Sequence, residues 1–155
     1  MIRRGGPQDV PFLRDMLHHA YYWRENHPEM EDLPVARYVS GWGRPGDASV
    51  IALEHHFPVG AAWYRLFKAS DPGYGFIDEE TPELSIAVVP SRRGHGLGSE
   101  LLDALLQQAK EDGFEALSLS VEPDNPAMKL YEKVGFQTVG TSGGSCTMRV
   151  DLDGD

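Results

Sequence analysis

A glycine-rich stretch with basic residues lies in the second half of the chain, between a predicted strand and a predicted helix. It reads Arg92-Arg93-Gly94-His95-Gly96-Leu97-Gly98. Glycines allow successive backbone N–H groups to point into one concavity, and the positive end of the following helix dipole faces the same place. No acidic residue occurs between Glu83 and Glu100. The stretch is therefore predicted to bind phosphate groups.

Three kinds of loop compete for this stretch. A Walker A loop ends in Gly-Lys-Ser/Thr, whereas Gly98 is followed here by Ser99 and Glu100, whose carboxylate would repel phosphate. A dinucleotide fingerprint needs glycine or alanine in place of Ser99, although Glu122 follows at about the expected ~20 residues. The dinucleotide fingerprint also normally follows the first strand of its βαβ unit. Here a long stretch that contains a predicted hairpin precedes the glycines. A purely structural turn before a helix remains an alternative for this motif alone.

A second motif, Asn125-Pro126-Ala127-Met128-Lys129-Leu130-Tyr131-Glu132-Lys133-Val134-Gly135-Phe136, follows at a suitable distance. Together with the first pattern, Arg/Gln-x-x-Gly-x-Gly/Ala at Arg93, Gly96 and Gly98, it resembles the signatures of the GNAT superfamily. The resemblance is close from Ser49 to Leu152 and loose from Ile2 to Asp47. It implies an acetyl-CoA-dependent N-acetyltransferase, in which a primary amine attacks the thioester directly in a ternary complex.

The resemblance also implies where the cosubstrate acetyl-CoA binds. The pantetheine arm is expected along the strand Leu84 to Val89, which parts from the strand Ala116 to Val121 and leaves a gap for the thioester. The implied coenzyme contacts are Val88, Val89, Arg93, Gly94, His95, Gly96, Leu97, Gly98, Ser99, Asn125 and Tyr131. Asn125 is also a good helix N-cap, which is sufficient to explain it.

Two residues are the catalytic candidates. Glu83 stands at the start of the central strand, where the family often has a carboxylate, and is the candidate base or proton relay. An exposed strand-end glutamate is the alternative. Tyr131 matches the tyrosine that the family places near the thioester sulfur as the acid for the departing thiolate. A core aromatic residue on an apolar helix face is its alternative.

Acidic and aromatic residues flank the expected acceptor site. They are Tyr21, Tyr22, Trp23 and Trp42 in one segment and Asp71, Asp78, Glu79 and Glu80 with Tyr74 and Phe76 in another. Such walls suit a cationic small molecule or a peptide amine. A solvated acidic loop explains the second group equally well. An acyl-CoA-binding sensor or partner module without turnover is the main alternative function, and a nucleotide-dependent oxidoreductase is a third.

The strands and helices that position these residues are predicted from the spacing of apolar residues and from the positions of glycine and proline. A mixed α/β fold is predicted, with a mostly antiparallel central sheet of about 6–7 strands and about 4 helices in a single domain over residues 1–155. The predicted strands are Ile2–Arg4, Ser49–His55, Val59–Phe67, Glu83–Val89, Ala116–Val121, Phe136–Val139 and Cys146–Leu152. Helices are predicted from Pro7, near Val35 to Val39, from Leu97 to a stop at Gly113, and from Asn125 to Gly135.

Composition excludes several classes of protein. A formal net charge of −10 over 155 residues argues against nucleic acid as a partner. The apolar runs are too short for a membrane span, and no secretory signal is recognised, so a cytoplasmic protein is predicted. The single Cys146 excludes an internal disulfide, and His18-His19 and His55-His56 lack metal-ligand spacing, so no metal is expected. Edge strands near the C-terminus allow a homodimer.

Overall fold

The computed structural model describes residues 1–21, 37–92 and 96–152. In chain order the described part contains β1 (Ile2–Arg4), α1 (Val10–Tyr21), β2 (Ala48–Glu54), β3 (Phe57–Arg65), β4 (Glu83–Val88), α2 (Leu97–Glu111), β5 (Ala116–Val121), α3 (Ala127–Val134), β6 (Gln137–Ser142) and β7 (Ser145–Asp151). The strands form a sheet in the order β1-β2-β3-β4-β5-β7-β6, with β4 and β5 parallel and the other recorded ladders antiparallel. This confirms the predicted mixed sheet.

One compact unit consists of Met1–Arg65 and Ser85–Leu105. Helix α1 buries Leu13, Met16 and Leu17, which are spaced three and four residues apart and so lie on one helix face. The start of α1 is anchored by Asp9, which accepts two hydrogen bonds from Arg3 at 2.8 and 2.9 Å. Arg3 holds the pKa of Asp9 below its ordinary value, since the hydrogen bonds favour the carboxylate more than burial disfavours it.

The β2–β3 hairpin corrects one prediction. The connection was expected at His56-Phe57-Pro58, but the turn is His55–His56 and β3 already begins at Phe57. Both turn residues have positive φ, 51° and 72°, as the two-residue turns that match the strand twist require. A bulge between Ala52 and Leu53 shifts the register, so Pro58 pairs with Leu53 inside the ladder.

The other compact unit consists of Leu66–Leu84 and Leu106–Asp155. Its core contains the apolar face of β5, Leu117, Leu119 and Val121, together with Met148 and Val150 of β7. Helix α3 ends at Gly135, whose φ of 119° is the left-handed conformation that glycine adopts at no steric cost. The prediction of one domain over the whole chain stays a prediction.

Three α-helices are present in the described part, against about four predicted. The helix predicted near Val35 to Val39 begins outside the described residues. In the described part of the chain, we find no helix with the length and apolar character that a membrane crossing requires.

Candidate active site

Glu83 is the first residue of β4 and is only 2% exposed. The interpretation as an exposed strand-end glutamate is therefore wrong. Glu83 pairs with Ser118 of β5, whose N–H donates to the carbonyl of the preceding Pro82 at 2.9 Å. In the described residues this is the one ladder pair recorded between β4 and β5. The carboxylate thus lies where the two parallel strands stop pairing.

Strand β5 is buried on both faces. Ser118 is 0% exposed, and only Ser120 is partly exposed. The loop before β4 explains part of this burial. A Cβ on Gly75 would lie 2.6–2.9 Å from the backbone of Leu119 and Ser120, so glycine permits the loop to lie directly on β5.

Two serine hydroxyls in this region are buried without a hydrogen-bond partner in the described structure. They are the Oγ atoms of Ser118 and of Ser85, which is 6% exposed. Ser85 follows Glu83 by two residues on β4 and so lies on the same face of that strand. Buried hydroxyls are normally satisfied by protein or ordered water, so each of these two can still accept or donate a hydrogen bond.

Two carboxylates of the acidic loop before Glu83 accept hydrogen bonds from backbone N–H groups nearby. Asp78 accepts the Glu80 N–H at 2.9 Å, and Glu79 accepts the Ala69 N–H at 2.8 Å. Burial alone would raise the pKa of Asp78. Hydrogen bonds from Glu80 and Thr81 and the charge of Arg149 outweigh burial and lower the pKa. Asp78 therefore stays ionised at neutral pH.

Tyr131 lies on α3 and is 7% exposed. Its ring packs edge-to-face against Phe136, with centroids 5.9 Å apart. Burial raises the pKa of the Tyr131 hydroxyl well above its ordinary value, because the phenolate would lose its solvation. The Tyr131 hydroxyl therefore stays protonated through the physiological pH range. In this neutral form it can donate a hydrogen bond.

Asn125 behaves as the predicted helix cap. Its Oδ1 accepts the Ala127 N–H at 2.9 Å, and its carbonyl accepts the Met128 N–H at 3.0 Å. Pro126 has helical backbone angles, φ −57° and ψ −25°, as the first helical position requires. These bonds account for Asn125 structurally, and its coenzyme contact remains a prediction.

The predicted coenzyme loop is described on both sides of a gap. Val88 is the last residue of β4, Val89 follows it, and Pro90–Arg92 form a short 3-10 helix. Arg93, Gly94 and His95 lie outside the described residues. Gly96 has a φ of +84°, and no described residue other than its chain neighbours comes within 4 Å of its Cβ position. Leu97, Gly98 and Ser99 form the first turn of α2, and the Glu100 N–H donates to the Gly96 carbonyl at 3.2 Å.

Arg92 has a partner that the sequence did not reveal. Its Nε donates to Glu54 Oε1 at 2.6 Å, and both side chains are more than one third exposed. The predicted basic cluster Arg92, Arg93 and His95 therefore contributes less free positive charge than the sequence indicated. Residues so far apart in the chain give no local signal of such a pair.

Trp42 has a contact that the sequence did not indicate, and its role at the acceptor site stays a prediction. The guanidinium of Arg65 lies over its ring, 5.2 Å from the centroid. Tyr22 and Trp23 lie outside the described residues, as does the side chain of Tyr21. Cys146 is a half-buried free thiol. No cluster of three His, Cys, Asp or Glu side chains suited to a metal occurs within residues 1–21, 37–92 and 96–152.

Comparisons with known proteins cover most of the chain. The family model described as the acetyltransferase (GNAT) family matches residues 10–136. Mycothiol acetyltransferase of Brachybacterium faecium is 31% identical over 119 residues, which are 74% of this chain and 34% of that protein. The chain thus spans about a third of the length of this relative.

Two solved structures match almost end to end. Ribosomal-protein-alanine N-acetyltransferase from Brucella melitensis has a TM-score of 0.71 at 26% identity, over 98% of this chain and 99% of its own. An N-acetyltransferase from Thermoplasma acidophilum in complex with coenzyme A has a TM-score of 0.73 at 16% identity, over 97% of this chain and 98% of its own. At the lower identity the likeness concerns the fold alone.

Proposed function

The chain belongs to the acetyltransferase (GNAT) family, as its two motifs predicted, and from this premise we propose that it transfers the acetyl group of acetyl-CoA to a primary amine. The observation that most supports this activity is the position of Glu83. It is a carboxylate that is 2% exposed, at the point where recorded pairing between β4 and β5 ends. A buried carboxylate can accept a proton from a bound amine.

The start of α2 supports binding of the coenzyme phosphates. The first N–H groups of a helix have no partner within the helix, so the amides at residues 97–99 can donate to an anion. Gly96 precedes them with positive φ, and among the described residues, its two chain neighbours aside, no atom lies within 4 Å of its Cβ position. These residues fit a diphosphate, and the resemblance adds Arg93 as a predicted contact. Acetyl-CoA supplies the activated thioester, and the chain supplies position and proton transfer.

The acceptor must lose a proton before it attacks. An alkylamine of pKa ~10.4 is neutral in about one molecule in a few thousand at pH 7, which costs roughly 4–5 kcal/mol. An α-amine of pKa ~7.7–8.0 loses only about 1 kcal/mol by the same arithmetic. A carboxylate of ordinary pKa ~4.3 is a weak base for either amine, so the smaller deficit favours an α-amine.

The name of one similar protein supports this choice, because it is named for ribosomal-protein alanine, whose amine is an α-amine. We propose an α-amine, on a peptide or a small molecule, as the acceptor class. In the reaction Glu83 takes one proton from the protonated amine, and the neutral amine then attacks the thioester. As the N–C bond forms and the C–S bond breaks, the second amine proton passes to the departing thiolate, which also accepts a hydrogen bond from Tyr131.

Loss of the Tyr131 hydroxyl is expected to lower kcat by about 10²-fold, the lower end of the usual range for acid–base groups. The effect is modest because a thiolate of pKa ~8.5 is already a fair leaving group. Tyr131→Phe preserves the ring that packs on Phe136, so an unchanged melting temperature would report an intact fold. Kinetics from pH 6 to 9.5 measure the effect.

The raised pKa of Tyr131 adds a second expectation to that experiment. The hydroxyl does not ionise in this pH range. At alkaline pH the kcat–pH profiles of the wild type and of Tyr131→Phe should therefore have the same shape. A kcat within twofold of wild type would remove Tyr131 from the mechanism.

The activity itself is tested by release of free CoA from acetyl-CoA in the presence of three amines. They are an alanine-starting peptide, a lysine side-chain amine with its α-amine blocked, and spermidine. The peptide is expected to react fastest at pH 7, and its acetylated product is identified by mass. If acetyl-CoA raises the melting temperature but no amine releases CoA, the domain is a binding module without turnover.

A further inference from the structure

A polar row crosses three strands at Glu83, Ser118 and Arg149. Glu83 is the register partner of Ser118 on β5, and Ser118 is the register partner of Arg149 on β7. Partners directly opposite each other have their side chains on the same face of a sheet. The first two residues are 2% and 0% exposed, whereas the Arg149 side chain is 44% exposed. The row therefore runs from a buried carboxylate to solvent.

The hydroxyl of Ser118 is not needed for the backbone pairing of this row. The Ser118 N–H makes the hydrogen bond to Pro82, which any non-proline residue would make. Its Oγ has no hydrogen-bond partner in the described part of the chain, and the same holds for Ser85, which follows Glu83 on the same strand face. A fully buried hydroxyl in that condition is typical of a site that holds an ordered water.

We propose that Ser118 is a positioning residue that holds a water molecule beside the Glu83 carboxylate. This inference rests on the proposed acetyl transfer. An N–H bond of the amine breaks as an O–H bond forms on Glu83. That O–H bond then breaks as the proton passes to the water on Ser118 and on to bulk solvent, which regenerates the carboxylate.

Two charged groups near the row have partners of their own. Arg149 pairs with Asp151 at 3.3 Å, and the charge of Arg149 also acts on Asp78 in the loop before β4. Asp78 accepts a hydrogen bond within its own loop, from the Glu80 N–H.

A structural role for the hydroxyl predicts a different result from a relay role. If Ser118 only fills space, Ser118→Ala removes an unsatisfied polar group and leaves the rate unchanged. If it holds the relay water, Ser118→Ala lowers kcat about tenfold below pH 7.5, the worth of one hydrogen bond of ordinary net strength. The KM for acetyl-CoA should stay constant, and Ser118→Thr, which keeps the hydroxyl, should restore most of the rate.

The matched control is Ser120→Ala, since Ser120 is the next residue on the same face of β5 and is partly exposed. Its kcat–pH profile is expected to lie within twofold of wild type. Identical profiles for Ser118→Ala and wild type would overturn the inference. Absence of CoA release by the wild type with every amine would instead overturn the proposed function.

A crystal structure of the wild-type chain separates the two failures, because it needs no activity. It is expected to contain a water within hydrogen-bond distance, at most about 3.2 Å, of both Ser118 Oγ and a Glu83 carboxylate oxygen. The same water should be missing in Ser118→Ala. A dry site in the wild type would refute the relay, whatever the kinetics show.

Discussion

Replacement of Glu83 by glutamine is expected to lower kcat at pH 7 by about 10²–10³-fold and to leave the affinity for acetyl-CoA unchanged. Glutamine has nearly the same shape as glutamate, so it creates no cavity at a position that is 2% exposed. It cannot accept the amine proton as a base. The loss therefore reports proton transfer, whereas a loss of packing would appear in the melting temperature.

The pH dependence makes this test sharper. Without a base, the Glu83→Gln variant depends on amine that is already neutral, so its rate should rise with pH until the amine's own pKa, about 7.7–8.0 for an α-amine. The gap between variant and wild type should narrow over the same interval. Steady-state kinetics from pH 6 to 9 and calorimetric binding of acetyl-CoA measure the two quantities.

Glu115→Gln is the matched control for Glu83. Glu115 is exposed and lies immediately before β5, so it carries the same substitution close to the same strand. Its kcat is expected to be within twofold of wild type. Should Glu83→Gln keep the wild-type rate at every pH, the carboxylate is not the base, and positioning alone must account for the chemistry.

Local patterns predicted the helices well. Leu101, Leu105 and Ala109 of α2 recur at helical spacing and are all fully buried, and Asn125 caps α3 as its residue type indicated. Such features depend on residues within a few positions of each other. The β2–β3 turn was misplaced because its two histidines have positive φ, for which their residue type gives only a weak signal.

Non-local features could not be derived in the same way. The register that places Ser118 beside Glu83 joins strands separated by a whole helix, and no spacing rule fixes it. The serines of β5 alternate with leucines as in a half-exposed strand, yet Ser118 is fully buried. Its burial depends in part on where the glycine-containing loop lies, which alternation alone does not specify. The motif at residues 93–95 continues to rest on resemblance.

A buried arginine is a feature that no local pattern predicted, because charged residues are expected at the surface. Arg65 is 0% exposed at the end of β3. It donates to both carboxylate oxygens of Asp47 at 3.0 and 2.7 Å, and to the carbonyls of Arg37 and Ser40 at 2.9 and 2.6 Å. Arg65 thereby ties the segment from Arg37 to Asp47 to the sheet.

Arg65→Met is expected to lower the free energy of unfolding by about 3–5 kcal/mol, because it leaves the Asp47 carboxylate buried without its cation. For a chain of this size the melting temperature should fall by roughly 6–20 °C. Asp47 would still accept the N–H groups of Gly43 and Arg44, both at 2.9 Å. Asp47→Asn in the Arg65→Met background removes the stranded charge and should recover about half of the loss.

Arg92→Met is the control for Arg65→Met, because it removes an arginine from an ion pair that is exposed rather than buried. Arg92 also bonds a carboxylate, Glu54, at 2.6 Å, but the two side chains are 43% and 38% exposed. Exposed pairs of this kind contribute about 0–1 kcal/mol, so its melting temperature should barely change. Equal losses for Arg65→Met and Arg92→Met in urea unfolding would mean that desolvation of Asp47 is not the cause. A large loss confined to Arg65→Met, and partly reversed by Asp47→Asn, can arise only from a carboxylate left without its cation inside the fold.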